Sequence, residues 1–426
     1  MGVKLISANF ENEGKKITYQ YTIDRSISKY FKASNPFYVE YDIDVSETPC
    51  SIAIIPFLSN IMPIAWFVGF DVYIDEVDET FAKSIQNLKE EFSKYYKVAP
   101  TGGNLKINKL IQHEIKGGET ALLFSGGLDS FESFIRNKDK NPYLISIHGA
   151  DVEIEDSKRW NSFKKFNQEE KILDANRHHY IESNLRDFYT YHIELLVNIG
   201  WWGKVQHGMA LLGVLAPLCY LKGVESILIG SSNTEEVEFG WGSTPGIDEK
   251  MKWANSHVIH DGYHLRRTEK IEKVVEFVEQ GNPELKLRVC YSELRDGYNC
   301  SHCAKCQRTM FGIIMANDDP VKYGFNVPDY LYELILDNFK SKKTLSKGLE
   351  YEWRCLQEKA KEINTFFVLK DKEKEQAYID NFVNINLKEQ IDTAIDQPNK
   401  GEITKFILRN KFSGVYALYK KIRYNR

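Results

Sequence analysis

The chain has no apolar run long enough to cross a bilayer. Its most apolar stretch, Cys50 to Phe70, is interrupted by Pro56, Asn60 and Pro63, and a span needs roughly 20 uninterrupted apolar residues. That stretch reads as buried strands, among them Ala65–Val68. The opening residues MGVKLISANFENEGKK lack the apolar core of a signal peptide. Seven cysteines in 426 residues are too few for a disulfide scaffold. No charge of one sign dominates: 56 basic against 60 acidic side chains leave −4, which argues against a surface built to coat nucleic acid. No internal repeat or low-complexity tract is present. The expectation is a soluble, cytoplasmic protein with no membrane partner.

What is present is globular. At 42% hydrophobic and 27% charged residues, the chain can bury a core, and its length suits two or three domains. Residues 1–115 read as an N-terminal α+β domain, with alternating strands at Ile17–Ile23 and Phe37–Ile43 and a helix over Thr80–Tyr96. Pro100–Asn104 reads as a linker. Residues 116–318 carry short apolar runs at Thr120–Phe124, Tyr143–Ile147 and Ser226–Gly230, with helical patterns between them, notably Val205–Leu221 and Thr268–Gln280. Strands alternating with helices predict an α/β fold: a parallel sheet with helices on both faces. Ligands should gather at the carboxyl ends of its strands. Asp151–Arg186 reads as a helical insertion, and 319–426 as a mainly helical extension. From Lys400 onward it holds eight Lys or Arg against one acid, a pattern more often a solvated face than an RNA site.

Two motifs carry chemistry. Ser125-Gly126-Gly127-Leu128-Asp129-Ser130 joins a strand to a helix. Glycines let backbone N–H groups turn inward, and the junction aims them and the helix dipole at one point. Ser125 and Ser130 add hydroxyls, and Asp129 is placed to hold a divalent ion bridging phosphate oxygens. A tight turn with Ser130 as helix cap is the plainer alternative. No lysine follows, so this is not the loop of kinases and GTPases. The second motif is Cys290, Cys300, Cys303 and Cys306. Two-residue spacers converge sulfurs, and four thiolates leave no open position, so a structural zinc is expected. An iron–sulfur cluster is the alternative.

The first motif resembles the SGGxDS loop of the ATP pyrophosphatase (PP-loop) superfamily, whose members cleave ATP between its α and β phosphates. Together with Cys290-Tyr291 and Cys300-Ser-His-Cys303-Ala-Lys-Cys306-Gln-Arg308, it resembles the 7-cyano-7-deazaguanine synthase (QueC) family over about residues 119–316. Departures lie between the motifs. Gly230–Glu235 and Trp241–Asp248 stand near family segments they match only in part, and Gly203–His207 stands where the family has an Arg-Asn pair. Lys204 is the candidate there for a charge on phosphate.

The resemblance implies an ATP-dependent, AMP-forming carbon–nitrogen ligase. Asp129, Ser130 and Lys204 would be catalytic. Ser125, Gly126, Gly127, Leu128, Asp129, Ser130 and His148 would bind the nucleotide, with Mg2+ as cofactor and zinc on the cysteines. The acceptor would be the carboxylate of a 7-carboxy-7-deazaguanine, adenylated and then converted to an amide. About 118 residues precede the core and 110 follow it. Such flanks resemble the QueC-like proteins of bacterial antiphage systems (Qat and type IV CBASS), which implies an amine on a partner protein of the same operon. A nitrile synthase using ammonia, a tRNA-modifying enzyme and a non-catalytic nucleotide-binding module are the alternatives. Glu235, Glu236 and Asp248 are candidates for a guanine-like edge, and Trp201, Trp202 and Trp241 for stacking, against solvation or core packing. His178, His179 and His207 lack metal-like spacing and read as satisfied side chains.

Overall fold

A computed structural model describes residues 1–96, 102–173, 177–237, 240–282, 285–290, 297–340, 346–387, 400–412 and 414–415. Strands β1 (Gly2–Glu11) and β2 (Lys16–Ile23) run antiparallel, and β3 (Tyr38–Tyr41) adds antiparallel to β2. Helices α1 (Cys50–Ala53) and α2 (Ile55–Val68) follow. Then come β4 (Asp71–Asp78), α3 (Glu79–Tyr95) and β5 (Leu105–Ile111), with β1, β4 and β5 mutually parallel. Of the expected linker, Pro100 and Thr101 lie outside the described residues. The stretch expected as strands, Ala65–Val68 included, is helical instead. Twelve of the fourteen residues of α2 are buried, and a helix enclosed on every side needs no polar face. An apolar run alone does not separate a buried helix from a buried strand.

From residue 119 the chain alternates. In order it forms β6 (Glu119–Leu123), α4 (Leu128–Asn137), β7 (Tyr143–His148), α5 (Ser157–Glu169) and β8 (His178–Ser183). Next come α6 (His207–Gly213), α7 (Ala216–Lys222), β9 (Val224–Gly230), α8 (Pro245–Asp248), β10 (His257–Asp261) and α9 (Arg267–Glu279). Two expectations change. The insertion 151–186 contains β8, whose alternating burial marks a strand. The helix expected over Val205–Leu221 is a π-helical turn (Trp202–Gln206), then α6 and α7. The break follows Gly213, where a Cβ would lie 2.2 Å from Ser59 Oγ.

The sheet order is β10-β9-β6-β7-β8-β3-β2-β1-β4-β5. Six of the nine pairings are parallel. The chain steps outward from β6 to β8, then returns to the other side of β6 with β9. That reversal opens a crevice between the carboxyl ends of β6 and β9. Residues 1–115, read as a domain of their own, add their strands to this same sheet through the β3–β8 pairing. Phe57 and Trp66 share one core with Ile145 and Leu212. Successive residues of the central strands face opposite cores: Ala121, Ile145 and Ile227 one, Leu122, Leu144 and Leu228 the other. The sheet is therefore covered on both faces.

The chain continues through α10 (Ala304–Met315), α11 (Leu331–Lys340), α12 (Lys347–Glu362), α13 (Lys372–Val383) and α14 (Lys400–Lys411). Helix α12 packs on α9 and α10, sending Trp353 and Leu356 into the second core. The basic tail beyond α14 lies largely outside the described residues. No helix among the described residues is long and apolar enough to cross a membrane.

Candidate functional site

The loop Ser125–Ser130 leaves β6 and enters α4 at the crevice. Gly126 has φ +71°, and its carbonyl accepts from Arg288 N at 2.7 Å. A Cβ here would lie 2.7 Å from Phe166 Cε1. Ser130 Oγ donates to Gly127 O and accepts from Ser125 N, at 3.1 and 3.3 Å. Gly127 N donates to Ser125 Oγ at 3.3 Å. The loop thus opens onto a cleft of about 940 Å³, counting the solvent at its mouth, within the size range of small-molecule sites. Its lining includes the aromatic and apolar side chains of Trp160, Phe163 and Val152, together with His207, Leu211 and Gly230.

Asp129 faces this cleft and a second cavity of about 420 Å³ beyond it. Burial would raise its carboxyl, but Lys270, Arg267, Lys305 and a hydrogen bond from Ser232 prevail and hold it below the ordinary carboxylate range. Lys270 Nζ and Arg267 Nη1 stand 3.7 and 3.8 Å from it. Burial pulls the Lys270 ammonium down against the opposing pull of Asp129 and Glu132. The second cavity is completed by Tyr351, Glu352 and Cys355 of α12, so the C-terminal extension reaches the loop. Glu352 accepts from Arg308 Nε at 2.5 Å. Arg267 and Lys270 were not singled out in the sequence. They lie about 140 positions beyond the loop, and only the packing of α9 on α4 brings them to it.

The expected site residues do not all converge. Ser125, Gly127, Leu128, Asp129 and Ser130 line the cleft. Lys204 does not: its ammonium donates to Val197 O at 3.1 Å. His148 lies behind the wall rather than in it. Its ring nitrogens contact Glu182 Oε2 and Glu153 O at 3.0 and 3.1 Å, and its ring stacks on Trp160 at 4.6 Å with planes 2° apart. It fixes the orientation of that indole. Trp201 is fully buried in the core, Trp241 packs on Gly203, and Glu236 pairs with Arg266 at 2.7 Å.

Asp248 is buried and joins a line of side chains. Asp248 Oδ2 meets His260 Nδ1 at 2.7 Å, and His260 Nε2 meets Ser231 Oγ at 2.8 Å. The sequence of groups resembles a nucleophilic triad. Ser231, however, is wholly buried, and its hydroxyl donates to Asn233 O at 2.7 Å. The line braces the turn after β9 that carries Ser232 to Asp129.

The four cysteines come together. Their sulfurs lie within 4.8 Å of one another, with Cys290–Cys303 and Cys300–Cys306 at 3.9 Å and Cys303–Cys306 at 3.5 Å. A tetrahedral zinc with bonds of about 2.3 Å needs sulfur–sulfur edges of about 3.8 Å, whereas a disulfide needs about 2.05 Å. The cluster could hold a metal ion and suits structural zinc. Cys303 stands at the N-cap position of α10 without a side-chain capping bond, and the helix carries Lys305 to the cleft. Comparison of the chain with protein-family models, curated proteins and solved structures returned no match.

Proposed function

We propose that the chain is an ATP-dependent, AMP-forming carbon–nitrogen ligase of the PP-loop, QueC-like kind. The observation that carries this reading is the position of Ser125–Ser130: a glycine turn at the β6/β9 crevice, opening on a cleft with an aromatic wall and a cationic rim. The loop amides and the amino end of α4 would receive the phosphates. Trp160 and Phe163 would stack the adenine. Asp129, kept ionised, suits Mg2+, which commonly takes one or two carboxylates together with substrate phosphates. That ion would neutralise charge building on pyrophosphate. Arg288, Lys305 and Arg267 would do the same from the protein side.

The acceptor is a heteroaromatic carboxylate, 7-carboxy-7-deazaguanine by resemblance. Its oxygen attacks the α-phosphate and pyrophosphate leaves. An amine then displaces AMP from the acyl-adenylate and yields an amide. By resemblance to the antiphage QueC-like proteins, the amine belongs to a partner protein. The test is exchange of labelled pyrophosphate into ATP. Exchange that requires both the carboxy-deazaguanine and Mg2+ supports the reading. Production of ADP, or ATP binding with neither exchange nor AMP when acid and amines are present, refutes it.

A further inference from the structure

Asp129 is surrounded by cations yet almost uncapped. A carboxylate offers about four acceptor sites, and among the described residues Asp129 accepts one hydrogen bond, from Ser232 Oγ at 3.3 Å. Lys270 Nζ and Arg267 Nη1 stop at 3.7 and 3.8 Å, about 1 Å beyond a charge-assisted bond. Each cation is tethered elsewhere. Lys270 Nζ donates to Ser231 O, and Arg267 Nη2 donates to Thr309 Oγ1 at 3.2 Å. Arg267 also faces a second carboxylate, with its Nε 4.0 Å from Glu352 Oε2. The guanidinium therefore lies between Asp129 and Glu352, hydrogen-bonded to neither. The cations hold Asp129 ionised without occupying its oxygens, and an ionised, open carboxylate is what a hard divalent cation takes.

Glu352 comes from α12, and two consecutive residues of that helix reach the site. Tyr351 Oη meets Thr234 Oγ1 at 3.3 Å, on the turn that carries Ser232. Glu352 accepts from Arg308 Nε at 2.5 Å. Burial pulls the Arg308 guanidinium down, Glu352 opposes that, and the like charge of Arg267 adds to it. Glu352 thus attracts two guanidiniums that repel each other. Resting on the nucleotide and metal part of the ligase reading, we propose that Glu352 is a positioning residue: it draws Arg267 back from Asp129 and so keeps that carboxylate open to the divalent cation that accompanies the nucleotide. With Glu352 uncharged, the pull on Arg267 becomes one-sided, and a shift of about 1 Å closes its pair with Asp129. Arg267 then caps the oxygens that the cation requires. The helical C-terminal extension in this way sets the metal affinity of the glycine loop.

The probe is Mn2+ with α,β-methylene-ATP, which resists cleavage between its α and β phosphates. Binding is read by water-proton relaxation, which distinguishes the protein-bound ion from the free metal–nucleotide. Wild type, Glu352→Gln, Arg267→Gln and the double variant are compared, with circular dichroism confirming the fold of each. Glu352→Gln keeps an oxygen for Arg308 Nε, so α12 stays anchored. In the wild-type background it should weaken Mn2+ binding by about 10- to 100-fold, the worth of a charge-assisted hydrogen bond that must first be broken. In the Arg267→Gln background the same substitution should change binding by less than about threefold, because no guanidinium is left to close on Asp129. Asp129→Asn should abolish this binding. Unweakened Mn2+ binding by Glu352→Gln, an equal loss in both backgrounds, or full binding by Asp129→Asn overturns the role of Glu352. The coupling without pyrophosphate exchange removes the ligase reading and keeps that role. A wild type that binds neither Mn2+ nor the nucleotide overturns both.

Discussion

Replacing Gly126 by alanine isolates what the loop asks of its backbone. At φ +71°, a residue with a Cβ costs roughly 1–2 kcal/mol. The new methyl would also sit 2.7 Å from Phe166 Cε1. Phe166 cannot withdraw cheaply: it is fully buried and contacts Phe131, Phe163 and Tyr298 at 6.2, 6.3 and 4.9 Å. Overpacking of this kind adds about 1–3 kcal/mol, so the total is about 2–5 kcal/mol. Unfolding entropy of about 2.1 cal/mol/K per residue gives about 0.9 kcal/mol/K for 426 residues. The melting temperature should fall by about 2–6 °C in differential scanning calorimetry, and, on the proposed function, nucleotide affinity with it. Gly127 is the internal control. Its φ is −81°, and an added Cβ meets Ser125 Oγ at 3.2 Å, so Gly127→Ala should cost under about 1 kcal/mol. If Gly126→Ala melts within a degree of wild type, or Gly127→Ala is the more damaging, the loop geometry argued here is wrong.

Two further outcomes follow from other parts of the structure. The purified chain should contain one equivalent of zinc by mass spectrometry, and Cys303→Ser should lose it. Because the cluster ties residues 290–303 to the amino end of α10, that variant should melt lower and, on the proposed function, bind ATP more weakly; a metal-free wild type of full stability would refute the assignment. Glu170 is 5% exposed, and burial pushes its carboxyl up to about 7, against the opposing pull of Lys286, whose backbone N–H it accepts. The folded state therefore binds the proton more tightly than the unfolded state, so this group's contribution is fully favourable below about pH 4 and is lost as pH rises toward 7. Glu170→Gln should leave stability near pH 4 unchanged and raise it at pH 8 by at most about 3 kcal/mol. A melting-temperature difference that does not grow with pH would contradict this.

How much was legible varies with the range of the interaction. Strands Ile17–Ile23, Tyr143–Ile147 and Ser226–Gly230 announce themselves because alternation or short apolar runs are local. The four cysteines do the same, since their spacing limits how far apart the sulfurs can stray. Helix α2 misled because enclosure erases the polar stripe that marks a helix. Strand β8 was hidden in a polar stretch, and with it the pairing that joins 1–115 to the rest. Lys204 looked well placed by position in the chain, but the π-helical turn directs its ammonium to Val197 O. His207, three residues on, was read as a satisfied side chain and instead lines the cleft.

The amino-acid sequence alone determined the Gly-Gly turn between strand and helix, the four-thiol cluster and the alternation that makes an α/β sheet. Each depends on residues within a few positions of one another, where backbone stereochemistry leaves little choice. Tertiary structure alone decided that ten strands share one sheet, that Arg267, Lys270 and Glu352 meet Asp129, and that His148 stands behind Trp160. Those contacts span from a dozen to more than two hundred residues of chain. Their closure is governed by which apolar faces must be buried together, and no short window of sequence records that.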